Sequence, residues 1–142
     1  AIQNAPYPRK LYRRLSDALS LTRVIGDTAI CFGAVVDSPS DMAVLADFIA
    51  RCEGLTAVLI AASTGNDYFI TVRSRTPDWH AGKLAQALTS GLGSGGGHTE
   101  RAAGSISKTH NRCDQEIQNE LLRRWKSQLN LTDIPELPFL TT

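Results

Sequence analysis

Apolar residues recur along this chain with two different periods, and the changes between them mark its elements. Leu11, Leu15, Ala18 and Leu19 fall at helical spacing after the proline-flanked Ala5-Pro6-Tyr7-Pro8, which predicts a short amphipathic helix ending near residue 20. Ala29-Ile30-Cys31-Phe32-Gly33-Ala34-Val35-Val36 is continuously apolar and β-branched at several points, as suits a strand covered on both faces. Ser38-Pro39-Ser40-Asp41 then predicts a helix start, with Ser38 or Ser40 as the cap. Met42, Leu45, Ala46, Ile49 and Cys52 give that helix an apolar stripe, and Gly54 marks its stop.

Two further runs, Ala57 to Ala62 and Tyr68 to Arg73, flank Thr64-Gly65-Asn66-Asp67. Gly and Asn tolerate positive φ, so this junction predicts a hairpin. Another helix is expected over Ala81 to Thr89, emptying into a glycine-rich loop, and a short strand over Ala102 to Ser107. Ile117, Leu121, Leu122, Trp125 and Leu129 trace one face of a terminal helix, with Trp125 in the core, and the tail from Pro135 to Thr142 reads as irregular. The order predicts an α/β fold, a small mixed β-sheet flanked by helices. Residues 1–28 read as a linker helix and 29–142 as one domain, without internal repeats.

Composition adjusts this picture in a few places. A chain of 142 residues is long enough to bury a real core, and 42% hydrophobic against 20% charged residues excludes a disordered tail. The formal charge of +1 provides no global field to recruit nucleic acid or membrane, so any anion binding must rest on local groups. Cys31, Cys52 and Cys113 are an odd, widely spaced set, which argues for a reducing, cytoplasmic setting. No apolar run nears the ~20 residues that span a bilayer, and Arg9, Lys10, Arg13 and Arg14 are not followed by a signal-peptide core. The chain opens on Ala1 and its one methionine is Met42; a fragment of a longer polypeptide is expected, although removal of an initiator methionine leaves the same trace.

Two stretches carry candidate chemistry. Gly91, Gly93, Gly95, Gly96 and Gly97 lie within seven residues and run into His98. Bare consecutive amides can converge on an oxyanion as a nest, with His98, able to donate from both nitrogens when charged, at its rim. A flexible turn after a helix is the plainer alternative. The pattern matches neither GxxxxGK[ST] nor a GxGxxG opening a helix. The second stretch is Thr71-Val72-Arg73-Ser74-Arg75. Strand alternation sets Arg73 and Arg75 on one face and Ser74 on the other, and two guanidiniums side by side suit a phosphate. An exposed strand end carrying solubilising charge is the alternative.

Taken together, ITVRSR, AGKLAQAL, GGGH and AAG closely resemble the DHHA1 domain, the C-terminal domain of DHH family phosphoesterases, over about Ala29 to Ser107. That family includes single-strand-specific exonucleases, oligoribonucleases acting on nanoRNA, cyclic-dinucleotide phosphodiesterases and exopolyphosphatase relatives. Alanyl-tRNA synthetases carry a related domain whose glycine stretch typically lacks the histidine, so they rank lower. The resemblance implies a two-domain clamp, with Mn²⁺ or Mg²⁺ and the catalytic aspartates in a DHH domain preceding this one and no catalytic residue here. It assigns Arg73, Ser74, Gly95, Gly96, Gly97 and His98 to gripping the substrate, a short oligonucleotide or phosphorylated nucleotide, with Arg75 as an extension. Thr99-Glu100-Arg101 places three residues before Ala102-Ala103-Gly104 where two are usual, so a bulged loop is expected and Arg101 is a cation without a place.

No Asp-His-His triplet or compact Asp/His cluster is present, and divalent ions need several hard ligands together; the chain alone is not expected to hydrolyse its ligand. His80 and His110 read as surface groups. Trp79 reads as packing on its helix, with base stacking the less favoured role. Arg9, Lys10, Arg13 and Arg14 read as an exposed basic face. The rival to a substrate-binding module is a structural or dimerisation module, compatible with a homodimer, whose glycine loop is only a packing turn. Nothing in the residues selects among nanoRNA, cyclic dinucleotide, 3′-phosphoadenosine phosphate and polyphosphate.

Overall fold

The computed structural model describes residues 5–108 and 112–141. Its elements run α1 (Arg9–Leu21), β1 (Thr22–Ile25), β2 (Thr28–Phe32), α2 (Pro39–Ala50), β3 (Ala57–Thr64), β4 (Asp67–Ser74), α3 (Ala81–Thr89), β5 (Gly93–Gly97), β6 (Arg101–Ser107), α4 (Asp114–Gln128) and β7 (Glu136–Pro138). The strands form one mixed sheet in the order β5-β6-β4-β3-β2-β1-β7. Among the described residues only β2 and β3 pair in parallel, joined through α2, so the α/β expectation of a mixed sheet flanked by helices holds.

Strand alternation divides the apolar residues between two faces. Ile30, Leu59, Tyr68, Ile70, Val72 and Ile106 pack with Leu84 and Leu88 of α3 and Ile117, Leu121 and Trp125 of α4. Cys31, Val58 and Ile60 pack on the other face with Ala18 of α1 and Met42, Leu45 and Ile49 of α2. Trp125, expected in the core, is fully buried. Its indole Nε1 donates to Thr28 Oγ1 at 3.1 Å, which satisfies the one polar atom such a ring carries inside.

Four expectations are corrected. The glycine stretch is not a loop: Gly93 to Gly97 pair with β6 as an edge strand. The continuous run from Ala29 to Val36 does not remain extended, because the backbone turns at Gly33, φ +81°, and the strand ends at Phe32. Residues 1–28 are not a linker helix alone, since Leu11 and Ala18 of α1 are buried and Thr22–Ile25 pairs with both β2 and β7. The Gly26-Asp27 turn between Val24-Ile25 and Thr28 was the overlooked hairpin signal. Pro135 to Thr142 is not wholly irregular, because Glu136–Pro138 is strand β7. His110 lies outside the described residues.

Candidate functional site

The β4–β3 hairpin forms as predicted, with Thr64 opposite Asp67, and it fixes the faces of the residues on β4. Phe69, Thr71 and Arg73 face α2, while Tyr68, Ile70, Val72 and Ser74 face α3. β6 continues both faces, since Arg73 pairs with Arg101 and Thr71 with Ala103. Gly96 pairs in turn with Ala103, and Gly97 with Ala102. Between the start of α2 and this strand surface lies a cleft of about 340 Å³, lined among others by Pro39, Phe69, Thr71, Arg73, Gly96 and Arg101. A neighbouring hollow reaches Ser94, Gly95 and Ser105 along the same surface.

Arg73 is the buried charge of the cleft, with 8% of its side chain exposed. A guanidinium that deep requires partners. Its Nε donates to Asp47 Oδ1 at 2.7 Å and its Nη1 to Val72 O at 3.1 Å. The second carboxylate oxygen of Asp47 accepts from Arg101 Nη2 at 3.3 Å. Two guanidiniums therefore share one carboxylate, and this corner of the cleft keeps one net positive charge. Asp47 was missed in the sequence, although it is the one charged residue between Met42 and Ala50. Arg101, left without a place, belongs here.

The bare residues have separable reasons to be glycine. A Cβ on Gly95 would lie 2.8 Å from both Ala85 O and Thr89 Oγ1 of α3, so the close packing of α3 on β5 requires its absence. A Cβ on Gly96 would meet only Gln86 Nε2, at 3.8 Å. Packing does not demand glycine at position 96, and the residue borders the cleft. The expected nest does not form, because successive amides of a strand alternate in direction and cannot converge on one atom. His98 Nα donates to Arg101 O at 2.8 Å, so the turn is a closed two-residue connection over Thr99 and Glu100 and the expected bulge is absent. The turn carbonyls are also engaged: Ala81 N donates to Thr99 O and Gly82 N to His98 O. The start of α3 thus carries protein acceptors in place of an open anion site.

The remaining candidates lie apart from this cleft. Ser74 is buried on the opposite face, where its Oγ donates to Trp79 O at 2.6 Å with Thr76 O also within reach at 2.9 Å, bracing the turn before α3. Arg75 is on the α2 side as alternation requires, but its Nη1 donates to Ala50 O at 2.7 Å and closes the end of α2, where cations are favoured. Both line a second hollow with Trp79, His80 and Glu100. Trp79 is half-buried and packs against the core. His80 is more than a surface group, since its Nδ1 accepts from Lys83 N at 3.1 Å and caps α3. His98 is exposed on the turn beside Gly97 and outside the lining of the cleft. Of the expected basic face, Lys10 and Arg14 pair with Asp37, and Arg13 with Asp17.

The DHHA1 domain model matches residues 28–129. The chain belongs to the DHHA1 domain family. No match emerges among curated protein sequences. Among solved structures this DHHA1 domain is similar to an exopolyphosphatase-related protein from Bacteroides fragilis, at 14% identity and TM-score 0.64, over 89% of this chain and 38% of that one. It is similar to RecJ from Thermus thermophilus in complex with Mg²⁺, at 18% identity and TM-score 0.59, over 83% of this chain and 18% of that one. It is also similar to the C-Ala domain of Aquifex aeolicus alanyl-tRNA synthetase, at 21% identity and TM-score 0.57, over 75% of this chain and 95% of that one. These likenesses establish a shared fold, and the chain spans well under half of the first two proteins. Among the described residues no helix is long and apolar enough to cross a membrane, and no three His, Cys, Asp or Glu side chains form a set able to hold a metal ion.

Proposed function

We propose that this DHHA1 domain grips a phosphorylated ligand, a short oligonucleotide or phosphorylated nucleotide, in the cleft between α2 and the β4–β6–β5 surface and presents it to a DHH domain. The observation that carries the reading is the juxtaposition of a buried, anchored Arg73 with Gly96, a bare residue that packing does not require. A guanidinium fixed by Asp47 loses little further freedom on meeting a phosphate. A side chain at position 96 would instead narrow the approach to the surface. The role of the chain is positioning, since orienting a reactant with fixed donors lowers a barrier without any bond being made by the domain itself. The Mn²⁺ or Mg²⁺ chemistry expected for the family would be supplied by the DHH domain, and no residue of this chain is assigned to holding the ion. His98, exposed at the turn, is available to the outer end of a ligand that extends beyond the cleft.

The test is the affinity of 5′-phosphorylated diadenylate for the chain and for Gly96→Ala and Arg73→Lys, each checked for native circular dichroism. Arg73→Lys keeps the charge and loses the fork, so a loss of about tenfold, ~1.4 kcal/mol, is expected for each variant. Folded variants that bind as tightly as the parent, or a parent that does not bind the dinucleotide at all, would overturn the reading.

A further inference from the structure

Arg73 and Arg101 face each other across β4 and β6, yet they are held very differently. Arg73 is enclosed and donates from Nε and Nη1 to protein acceptors, so its orientation is set before any ligand arrives. Arg101 has 59% of its side chain exposed and reaches Asp47 at the longer distance of 3.3 Å. An exposed pair of that length is weak and exchanges readily with solvent or another anion. Asp47, by contrast, is anchored on a helix that packs over the sheet. One of its oxygens serves the fixed guanidinium, and the other accepts from the exposed one.

We propose that Asp47 is the positioning residue of the cleft: it fixes Arg73 through one oxygen and parks Arg101 on the other until a phosphate takes Arg101 over. This rests on the cleft being the phosphate site. In the empty cleft the carboxylate cancels one of the two cations. On ligand binding Arg101 exchanges one anionic partner for another, so its side chain closes on the phosphate while Arg73 stays in place. Asp47 thereby sets both the geometry of one donor and the availability of the other, without touching the ligand.

The experiment measures binding of 5′-phosphorylated diadenylate to the intact chain as a function of salt. For a single-strand binder, removing one cation from a phosphate lowers the slope of log affinity against log salt by about 0.7. Arg101→Ala, a change at an exposed residue, is expected to weaken binding about tenfold and to lower the slope by about that amount, with Arg101→Lys restoring the slope. Asp47→Asn retains an acceptor for Arg73 Nε while releasing Arg101, so it is expected to bind several-fold more tightly at low salt. That gain should vanish in Asp47→Asn combined with Arg101→Ala. Asp47→Ala, which leaves Arg73 without its acceptor, is expected to bind more weakly than the parent. An Arg101→Ala chain with the parental slope, or Asp47→Asn binding as weakly as Asp47→Ala, overturns the inference. If Arg73→Lys and Gly96→Ala lose affinity while Arg101→Ala keeps the parental slope, only the parking of Arg101 falls. If all of them bind as the parent does, the cleft itself is the wrong site.

Discussion

Replacing Gly95 and Gly96 separately by alanine distinguishes the structural use of the glycine stretch from its use at the cleft. At Gly95 the added Cβ would lie 2.8 Å from Ala85 O and 2.8 Å from Thr89 Oγ1, closer than methyl carbons approach such oxygens. The two atoms it meets already bond to each other, Thr89 Oγ1 donating to Ala85 O at 2.7 Å. Neither can retreat without disturbing the last turn of α3. Relief requires α3 or the edge strand to move by a few tenths of an ångström, and α3 also buries Leu84, Ala85 and Leu88 in the core. Overpacking of this kind costs about 1–3 kcal/mol, which for a domain of this size corresponds to a fall in Tm of roughly 3–10 °C. At Gly96 the same methyl group meets only Gln86 Nε2, at 3.8 Å. Reduced freedom of the unfolded chain makes that substitution neutral or stabilising by up to about 1 kcal/mol. Thermal unfolding followed by circular dichroism, with urea unfolding as a second measure, should therefore rank Gly95→Ala well below both the parent and Gly96→Ala, while dinucleotide affinity falls in Gly96→Ala. Equal melting temperatures for the two variants would refute the packing argument.

Two further outcomes follow from buried and paired groups. Burial pushes the Cys31 thiol up to about 11, and the group is enclosed with its Sγ donating to Ala18 O. The nucleophile is the thiolate, so the native chain at pH 8 should react with a disulfide reagent first at exposed Cys113 and then at half-buried Cys52. Cys31 is expected to react only after unfolding. The Arg123 guanidinium, with Arg124 second, holds the Glu120 carboxyl at about 2 against an ordinary 4.5. Because the folded value is depressed, the stability Glu120 contributes is fully present above about pH 4.5 and is lost as pH falls towards 2. Urea midpoints of the parent and Glu120→Gln should therefore differ at pH 6 and converge between pH 4.5 and 2; a gap independent of pH would exclude the ion pair as its source.

Much of the architecture was legible because it depends on local chemistry. The stripe of Met42, Leu45, Ala46 and Ile49, the Gly65-Asn66 turn and the helix from Ala81 to Thr89 each follow from residue spacing or turn preference, and each forms where the pattern places it. β5 was not legible, because four glycines and a serine carry no strand signal of their own. It is extended because β6 supplies a ladder and α3 needs bare backbone beneath it, and both conditions are tertiary. β1 was legible only through the Gly26-Asp27 turn, since four residues are too few to show a period.

The candidate site divides in the same way. Residue type and strand alternation put Arg73 on one face and Ser74 on the other, and the density of glycine running into His98, together with the family likeness, singled out residues 95 to 98. Alternation could not decide that Arg75 would be drawn to the end of α2 by Ala50 O, nor that Ser74 would brace the next turn. Asp47 and Arg101 meet Arg73 from sequence distances of 26 and 28 residues, respectively, along α2 and β6. The sequence by itself determined which residues could be buried, which could turn the chain and which carried charge, because those are properties of each side chain and its near neighbours. Which charges meet, and which glycine faces the cleft instead of a helix, was decided only when the sheet brought distant segments into register, because contact between them exists only in the folded chain.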